Sequence, residues 1–563
     1  MFCGIDVGGT HTDAVLVDES GIVAASKIVT DHKNLVGTIR ESLDKILHEA
    51  APGSVEWINI STTLSTNAIV ENKTEKVGVM VSSGPGVDPS GFAIGDHYRL
   101  IRGSIDHRGT VVQDLNAKDM KGALKEFSKK KVKVFAVVSK FSTRNPSHED
   151  QLSASLKDTG DYVTRGHRLS GELNFPRRIT TAYYNSAVWR LYNEFADAVE
   201  KSIADHGISA AINILKADGG TMPLTLSRVI PVETILSGPA ASVMGIIALC
   251  HIDEDSVILD IGGTTTDIAV FAEGAPLIER EGISLNRRPT LVRSLKTHSI
   301  GIGGDSVLSV ADAKVVVGPE RVGPSMAQGG DEVTLIDAFN FSENAGFGDE
   351  SASAAGIKKL AVEHGMEPGE LSRQAVQRAA DVIKSEVHMI LEEINQRPVY
   401  TIHELLEDKH VEPKKLYIMG GPAKAFAGVL EKSFGLPVVV PEEFAVANAV
   451  GAALARTTKD IELLADTEKG QLIIPSIDIM KKVGGWYTLS DAEADARQYL
   501  LEYLKNHNAD TGVVPEIVES TSFNMVDGFN TVGKNIRVKC QVKPGVLLKF
   551  GKAPEIQKTE TEA

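Results

Sequence analysis

Two parts of the chain share one pattern of apolar and polar positions. Each has a short apolar run, a Gly-Gly pair and a second apolar run, which together predict a β-hairpin with a glycine-rich turn. The runs cover residues 2–7 and 13–17 in the first part, and residues 257–261 and 267–271 in the second. A third strand is expected after each hairpin, at residues 22–29 and 276–281. Each half of the chain is therefore predicted to begin with an antiparallel meander.

Apolar residues recur every three or four positions in much of the remaining chain, which indicates amphipathic helices. Helices are predicted at residues 35–49, 179–204, 371–395, 423–434 and 445–455. Short apolar runs at residues 132–138 and 416–419 predict buried strands. The pattern weakens after residue 458, and residues 552–563 are a charged tail. The mixture of elements predicts an α/β fold.

The two hairpins also carry the same sequence motif. The sequences DVGGTHTD and DIGGTTTD begin at Asp6 and Asp260, which are 254 positions apart. This spacing is far longer than the repeat of a solenoid, which is about 20–50 residues. It favours two related lobes that each open with the same supersecondary unit.

The composition is that of a globular protein with several domains. The 563 residues correspond to roughly three or four domains, and 42% of them are hydrophobic. The net charge of −16 argues against a nucleic-acid-binding or anionic-membrane scaffold. Cys3, Cys250 and Cys540 are widely spaced, which favours free thiols over a disulfide framework or a zinc ribbon. No leader and no membrane span are recognisable, so a cytoplasmic protein is expected.

The repeated turns have the chemistry of phosphate-binding loops. Glycine amides allow close approach of an anion, and consecutive N–H groups form a concave anion site beside the threonine hydroxyls. The aspartate before each turn suits a hydrated Mg²⁺, which prefers one or two carboxylates plus phosphate oxygens. One such turn alone is more often only a hairpin turn, but two copies in two lobes predict a nucleotide clamp. Asp6 and Asp260 are the candidate catalytic and metal-binding residues, and the candidate phosphate-binding residues are Gly8, Gly9, Thr10, Thr12, Gly262, Gly263, Thr264, Thr265 and Thr266.

Two further glycine-rich turns complete the candidate site. Gly303 and Gly304, in GIGGDS, are candidates to border a ribose or phosphate, although a plain loop fits equally well. Gly420 and Gly421, between a predicted strand and helix, offer a surface without side chains on which an adenine could lie. The Walker pattern and a Rossmann GxGxxG after the first strand are both missing, so neither common nucleotide fold is expected.

The order of these motifs, DVGGTHTD, DIGGTTTD, GIGGDS and GGPAKAF, resembles the nucleotide-binding motifs of the actin/Hsp70/sugar-kinase superfamily. More narrowly, residues 2 to about 458 resemble the hydantoinase/oxoprolinase family, of the hydantoin-utilization A-subunit type. Supporting stretches include STTLSTNAIVENK, STRNPSHE, ADGGTMPL and, most specific, LSGPAASVMG followed by LDIGGTTTD. The resemblance implies a two-lobed, ribonuclease H-like fold with a nucleotide cleft between lobes at residues 1–178 and 179–458, followed by a C-terminal extension at 459–563.

The resemblance also implies an activity, namely ATP-dependent hydrolysis of a cyclic amide such as a hydantoin, 5-oxoproline or another lactam. The expected cofactors are ATP and Mg²⁺, and the expected partners are a small cyclic amide, a B-type hydantoinase subunit and further copies in an oligomer. Two alternatives stay open. One is a subunit of an ATP-dependent ketone carboxylase, and the other is a reactivase-type ATPase that acts on a protein client.

Some positions depart from the family's pattern or have an open role. His11 replaces a common phenylalanine, Asp305 replaces a small residue, and residues 318–332 lack a familiar proline- and glycine-rich stretch. These differences affect the expected substrate more than the expected nucleotide. For Asp13 and Asp267, pinning the hairpin is slightly favoured over contact with a ligand.

Overall fold

A computed structural model describes residues 1–31, 34–48, 53–279, 281–312, 314–396, 410–509 and 512–551. The charged tail, the last residue of the helix expected at 35–49 and residue 280 of the strand expected at 276–281 lie outside these ranges. The helices and strands fall into three groups, which correspond to the first lobe, the second lobe and the C-terminal extension.

Residues 2–249 contain, in chain order, β1 (Phe2–Val7), β2 (His11–Asp18), β3 (Gly21–Val29), α1 (Leu35–Leu47), β4 (Trp57–Thr62), α2 (Leu64–Val70), β5 (Val77–Ser82), β6 (His97–Leu100), β7 (Ser104–Ile105), β8 (Val111–Gln113), α3 (Ala117–Lys129), β9 (Val134–Ser139), α4 (Ser147–Leu156), β10 (Tyr162–Arg165), α5 (Phe175–Asp205), β11 (Ala211–Leu215), β12 (Thr221–Pro223), α6 (Leu224–Ser227) and α7 (Ser237–Leu249). Residues 256–454 contain β13 (Ser256–Ile261), β14 (Thr266–Ala272), β15 (Ala275–Pro276), β16 (Ile278–Glu279), β17 (Ser284–Leu285), β18 (Arg288–Pro289), β19 (Ser294–Leu295), β20 (Thr297–Ile300), β21 (Leu308–Ala311), β22 (Lys314–Val317), α8 (Leu335–Glu343), α9 (Glu350–Glu363), α10 (Pro368–Asn395), β23 (Lys415–Met419), α11 (Ala423–Phe434), β24 (Val438–Val439) and α12 (Ala447–Leu454). Residues 459–542 contain β25 (Lys459–Asp466), β26 (Gln471–Ile474), β27 (Ile479–Lys482), α13 (Leu489–Asn506), β28 (Glu516–Asp527) and β29 (Asn530–Val542).

The sheet of the first lobe has six strands in the order β12-β11-β4-β1-β2-β3. β1, β2 and β3 form the predicted antiparallel meander, and β4 and β11 add in parallel on the other side of β1. Helices α1 and α5 cover one face, with Leu43 and Tyr192 buried against Ile5. A separate parallel sheet, ordered β10-β9-β5-β6, packs on α5 as well.

The sheet of the first lobe includes strands beyond residues 178 and 179, where the boundary between the lobes is predicted. β11 and β12, which follow residue 178, belong to the first sheet, because β11 pairs in parallel with β4 and β12 pairs with β11. Pairing between strands so distant in sequence leaves no trace in local apolar periodicity.

The sheet of the second lobe repeats the plan of the first. β13 and β14 form the second hairpin, and β23 and β24 add in parallel beside β13. The third strand expected at residues 276–281 is wrong in extent, since only Ala275–Pro276 pairs with β14, and β20 takes the rest of that edge. After Pro276, Leu277 N still donates to the carbonyl oxygen of Val270 at 3.2 Å, and the chain then turns away to pair β16 with β19.

Two helices rich in small residues, α7 and α12, lie between the two sheets. A Cβ at Gly451 would lie 2.0 Å from the carbonyl oxygen of Ala241, and one at Gly4 would lie 2.0 Å from that of Ala449. Glycine therefore lets α12 contact both α7 and β1 at backbone distance. The same buried cluster contains Val15 of the first sheet and Ile258 of the second. The predicted two-lobed α/β architecture is confirmed, and its lobes share one central layer.

Residues 459–542 form a sheet of their own despite the weak sequence pattern. Its antiparallel strands follow the order β27-β26-β25-β29-β28, and α13 packs on one face. The guanidinium of Arg108 pairs with the carboxylates of Asp466 and Glu468, which joins this sheet to the first lobe. In the part of the chain that the structure describes, no helix combines the length and apolar content needed to cross a bilayer.

Candidate active site

The two repeated motifs fold into equivalent hairpins. The register of β1 and β2 places Asp6 opposite Asp13, and that of β13 and β14 places Asp260 opposite Asp267. The same backbone bond closes both turns, from Gly8 N to His11 O at 3.0 Å and from Gly262 N to Thr265 O at 2.9 Å. The internal sequence repeat is therefore a structural repeat, down to the hydrogen bond within the turn.

The structure brings Asp6 and Asp260 together. The side-chain nitrogen of Asn448 lies 3.3 Å from Oδ2 of Asp6 and 3.3 Å from Oδ2 of Asp260. Asn448 lies near the start of α12, the helix between the sheets. Sequence reasoning missed this residue, although it is the one polar side chain in the stretch ANAVGAAL, which is a usable signal.

Burial and mutual repulsion make the carboxylates of this cluster weak acids. Burial raises the pKa of Asp6 to about 7, and the charges of Asp13 and Asp260 add to the rise. The pKa of Asp267 is raised to about 7 in the same way, by burial and by the charge of Asp260. Burial also raises the pKa of Asp260, although the Ser242 hydroxyl donates to its Oδ2 at 2.5 Å. A bound cation would relieve this repulsion.

The carboxylate of Asp13 already has a cationic partner. Lys27 Nζ lies 2.8 Å and 2.7 Å from its two oxygens and also donates to the carbonyl oxygen of Ala445 at 3.1 Å. Asp13 therefore ties β2 and β3 to the loop before α12. This geometry agrees with a pinning role for Asp13.

The donor set around Asp6 and Asp260 suits a magnesium ion held through phosphate oxygens. Oδ1 of Asp6 is buried and has no hydrogen-bond partner among the described residues. No group of three or more His, Cys, Asp or Glu side chains within the described ranges is arranged to hold a metal alone. Mg²⁺ needs no such cage, because it prefers one or two carboxylates together with waters and substrate phosphates. The hard carboxylate oxygens present here fit that requirement.

The threonines of the two turns divide into two groups. The Thr12 hydroxyl is buried against that of Thr30, which donates to the carbonyl oxygen of Gly8, and the Thr266 hydroxyl donates to the carbonyl oxygen of Ile302 at 2.7 Å. These two hydroxyls thus support the turns from within. Half-buried residues of the turns stay accessible to a ligand, namely Gly8, Thr10, Gly262, Gly263, Thr264 and Thr265, and Gly9 is exposed.

The GIGGDS turn packs directly on the Gly-Gly-Thr turn of the second hairpin, which is the second candidate phosphate turn. Gly304 N donates to the carbonyl oxygen of Gly262 at 2.9 Å, and Asp305 N donates to that of Gly263 at 2.6 Å. A Cβ at Gly303 would lie 2.6 Å from the backbone of Gly263. Gly303 and Gly304 are therefore placed to shape the second turn, with room for no larger side chain at Gly303.

The GGP turn lies beside the end of β13. Gly420 has a φ of 92°, and a Cβ there would meet the carbonyl oxygen of Ile261 at 2.2 Å, whereas the Cβ position of Gly421 faces open space. The helix that follows, α11, lines a cavity of about 720 Å³ through Lys424 and Gly428. The opposite walls of this cavity come from α8 and α10. Gly420 thus adjoins the strand of Asp260, and the cavity, which is large enough for a nucleoside, begins at Lys424, three residues after Gly421.

Comparison with known proteins gives this geometry a context. Caprolactamase subunit alpha of Pseudomonas jessenii is 26% identical over 374 residues, which cover 60% of this chain and 53% of that protein. 5-Oxoprolinase 1 of Arabidopsis thaliana is 24% identical over 537 residues, which cover 82% of this chain and 42% of that protein. The chain thus spans about half the length of these curated relatives.

Solved structures share the fold over nearly the whole chain. Nucleotide-free acetone carboxylase superposes with a TM-score of 0.73 at 15% identity, covering 98% of this chain and 88% of that one. ATP-dependent caprolactamase from Pseudomonas jessenii gives 0.69 at 19% identity, covering 98% and 89%. The hydantoinase/oxoprolinase family model matches residues 178–461, and the model of the family's N-terminal region matches residues 2–160. The chain belongs to the hydantoinase/oxoprolinase family, as the sequence motifs indicated.

Proposed function

We propose that this protein is the ATP-binding component of an enzyme that opens a cyclic amide, of the hydantoin, 5-oxoproline or lactam type. The observation that carries the proposal is the pair Asp6 and Asp260, joined by Asn448 between two equivalent Gly-Gly-Thr turns. A cleft with one phosphate turn on each side suits the transfer of a phosphoryl group rather than simple nucleotide storage. The similarity to caprolactamase and 5-oxoprolinase supports a cyclic amide as the acceptor.

The chemical step makes a poor electrophile reactive. The bond between the γ-phosphorus of ATP and the bridging oxygen breaks, ADP leaves with the electron pair, and the amide carbonyl oxygen bonds to phosphorus. Water then adds to the activated carbon and the ring C–N bond breaks, with the nitrogen taking a proton, which leaves an acyl phosphate. A second water adds to the acyl phosphate and releases phosphate and the ring-opened carboxylate. The protein's contribution is positioning and charge stabilisation of the moving phosphoryl group.

Each group in the cleft has a role in this proposal. Backbone amides of both turns, together with the hydroxyls of Thr10, Thr264 and Thr265, would hold the phosphates. Asp6 and Asp260 would hold Mg²⁺, directly or through water, and Mg²⁺ would neutralise phosphate charge. Gly420 and Gly421 would border the adenosine, with the base in the cavity lined by α11. Thr12, Thr266, Gly303 and Gly304 would keep the turns in shape.

A ketone carboxylase subunit is the second candidate, because acetone carboxylase shares the fold over 98% of the chain. The two reactions use the same phosphoryl-transfer half and differ only in the acceptor, a cyclic amide against a ketone with bicarbonate. We rank the amide first because the caprolactamase relative has the higher identity, 26% against 22% for the acetone carboxylase beta subunit of Xanthobacter autotrophicus. No observation on this chain favours a reactivase.

We propose a second, B-type chain as the partner. Curated relatives carry subunit designations, such as caprolactamase subunit alpha and acetophenone carboxylase gamma subunit. The single chain of 5-oxoprolinase 1 is covered only to 42% by this protein. A two-chain assembly, oligomeric and cytoplasmic, follows as the working arrangement, and the three free, buried cysteines agree with a reducing compartment.

The deciding experiment measures ADP release from MgATP with a panel of acceptors. The panel contains 5-oxoproline, hydantoin, lactams of five to seven ring atoms, and acetone or acetophenone with bicarbonate, each with and without a candidate B-type chain. Stimulation by a cyclic amide, with ring-opened product found by mass spectrometry, supports the proposal. Stimulation only by ketone plus bicarbonate would replace it with the second candidate, and stimulation by neither would refute both.

A further inference from the structure

An ion pair lies directly against the second phosphate turn. Arg321 Nε and Nη2 lie 3.2 Å and 3.1 Å from Oδ2 of Asp305. That same carboxylate oxygen would be 2.5 Å from a Cβ on Gly263, so it rests on the α-carbon of the turn itself. The backbone bond from Asp305 N to the carbonyl oxygen of Gly263, at 2.6 Å, fixes this arrangement. The guanidinium is therefore anchored beside the amides of the second turn.

The pair also faces the opposite lobe. His11, in the first phosphate turn, has its pKa lowered by burial and by the charges of Lys27 and Arg321, whereas Asp305 opposes this shift. Both members of the pair are thus close enough to act electrostatically on a residue of the other lobe. Arg321 accordingly lies on the side of the second lobe that faces the first turn.

Arg321 and Lys27 differ in how many of their hydrogen-bond donors are already used. The site holds the carboxyl groups of Asp6, Asp13, Asp260 and Asp267 before any phosphate arrives, and burial raises the pKa of Asp6 and Asp267 to about 7. The ammonium of Lys27 has three donors, and all three are used by Asp13 and the carbonyl oxygen of Ala445. Arg321 keeps Nη1 without a partner among the described residues, and its side chain is 30% exposed. The guanidinium therefore has a donor left for a phosphate oxygen.

We propose that Arg321 is a catalytic residue that donates to the oxygens of the transferring phosphoryl group, and that Asp305 is the positioning residue that aims it. The proposal rests on the proposed function and deepens it. In the step, the bond from the γ-phosphorus to the bridging oxygen breaks and the bond to the acceptor oxygen forms, while Arg321 keeps all its protons. A planar guanidinium held on one edge by a carboxylate presents its remaining N–H groups in a fixed direction, which suits phosphate oxygens. The hydrogen bonds from these N–H groups would strengthen as charge moves onto the phosphoryl group in the transition state.

The test compares Arg321→Ala and Arg321→Lys in the full chain, with its B-type partner where one is required. Loss of one preorganised donor to a developing charge costs about 100- to 1,000-fold in kcat, and we expect a loss in this range for Arg321→Ala. The dissociation constant for MgATP should change by less than about threefold, because the contact forms mainly in the transition state. Added guanidinium ion should restore part of the kcat of Arg321→Ala, which a merely structural arginine would not allow. Asp305→Asn should lower kcat less than Arg321→Ala does.

The matched control is Arg102→Ala, since Arg102 forms a similar pair with Asp119 at 2.7 Å, outside the cleft. Unchanged kcat in Arg321→Ala, or equal losses in MgATP affinity and kcat without guanidinium rescue, would overturn the proposal. If Arg321→Ala fails to fold, Arg321→Lys at wild-type kcat would overturn it as well. Where the wild type hydrolyses ATP but no cyclic amide stimulates it, the proposed function fails, and the effect of Arg321→Ala on the basal hydrolysis still decides the role of Arg321.

Discussion

Asp6 and Asp260 share one hydrogen-bond donor group, since Asn448 Nδ2 lies 3.3 Å from a carboxylate oxygen of each. An amide nitrogen carries two hydrogens, so the two aspartates use both. The helix that carries Asn448 packs against β1 of the first lobe and against α7 at backbone distance. The relative position of the two candidate phosphate turns therefore depends on this helix, and a substitution of Asn448 should alter the surroundings of the aspartate in each lobe.

Asn448→Ala should weaken nucleotide binding and stability together. The change removes the donor from the buried Oδ2 of Asp6, whereas Oδ2 of Asp260 keeps the hydroxyl of Ser242. An unsatisfied buried group costs about 1–3 kcal/mol. We expect the free energy of unfolding in urea to fall by about 2 kcal/mol, and the affinity for MgATP in calorimetric titration to fall about tenfold, the equivalent of 1.4 kcal/mol.

The matched control for this change is Asn193→Ala. Asn193 also uses Nδ2 twice, to the carbonyl oxygens of Trp189 at 2.9 Å and Arg228 at 3.1 Å, but it lies on α5, away from the aspartates. Its loss should lower stability and leave MgATP affinity unchanged. Equal MgATP affinities for Asn448→Ala and the wild type would show that Asn448 does not organise the site.

Asp6→Asn should abolish MgATP hydrolysis while the fold stays intact. The amide has nearly the shape of the carboxylate but no negative charge for Mg²⁺, which prefers carboxylate oxygens. Because burial already raises the pKa of Asp6 to about 7, the neutral side chain should not destabilise the protein without ligand. ADP release and the thermal midpoint measure the two effects separately. Near-normal turnover in this variant would contradict the metal-binding role.

Regular elements of the fold were predictable because they depend on local sequence. The hairpins around Gly8 and Gly262 follow from apolar runs on either side of a Gly-Gly pair, and the helix Ala423–Phe434 follows from an apolar period of three or four residues. The internal repeat further predicted that Asp6 and Asp260 belong to equivalent positions. What the repeat could not supply was the third residue, Asn448, whose role comes from a contact between elements distant in sequence.

Other features depend on tertiary pairing and were missed for that reason. β11 enters the first sheet by pairing with β4, and β20 displaces the expected strand beside β14. In the C-terminal sheet, β28 is exposed along most of its length, so its apolar residues do not alternate cleanly with polar ones. Arg321 was missed for the same reason, because it lies in a loop and its position depends on its contact with Asp305.

The free energy of unfolding of the protein without MgATP should fall as the pH rises from about 4 to about 8. Asp6 and Asp267 both have a folded-state pKa near 7, above the usual value for aspartate. A carboxyl group of this kind holds its proton better in the folded state, so its contribution is complete below the unfolded-state pKa and is lost as the pH rises through 7. Each such group contributes a slope of at most about 1.4 kcal/mol per pH unit between its two pKa values.

Urea unfolding at several pH values, with and without MgATP, checks this dependence. Mg²⁺ binding requires the deprotonated carboxylates, so the stabilisation by MgATP should grow over the same range. Asp6→Asn should reduce the pH dependence of the free energy of unfolding of the ligand-free protein by the contribution of one carboxyl group. A ligand-free profile that rises between pH 5 and 8, or one that Asp6→Asn leaves unchanged, would contradict the raised pKa of Asp6.

Gly451→Ala should destabilise the central layer and disturb the site. The new Cβ would lie 2.0 Å from the carbonyl oxygen of Ala241 and 2.4 Å from Gly245 N, both backbone atoms of α7 that have no freedom to rotate away. Overpacking of this kind costs about 1–3 kcal/mol, and separating α7 from α12 would also move Asn448, three residues earlier on α12. We therefore expect lower stability in urea and weaker MgATP binding.

Gly122→Ala is the control, because its Cβ would meet nothing within 4 Å on α3, and alanine should stabilise that helix by about 0.5–1 kcal/mol. If Gly451→Ala unfolds at the same urea concentration as the wild type, the close contact of α7 and α12 does not hold the two lobes together.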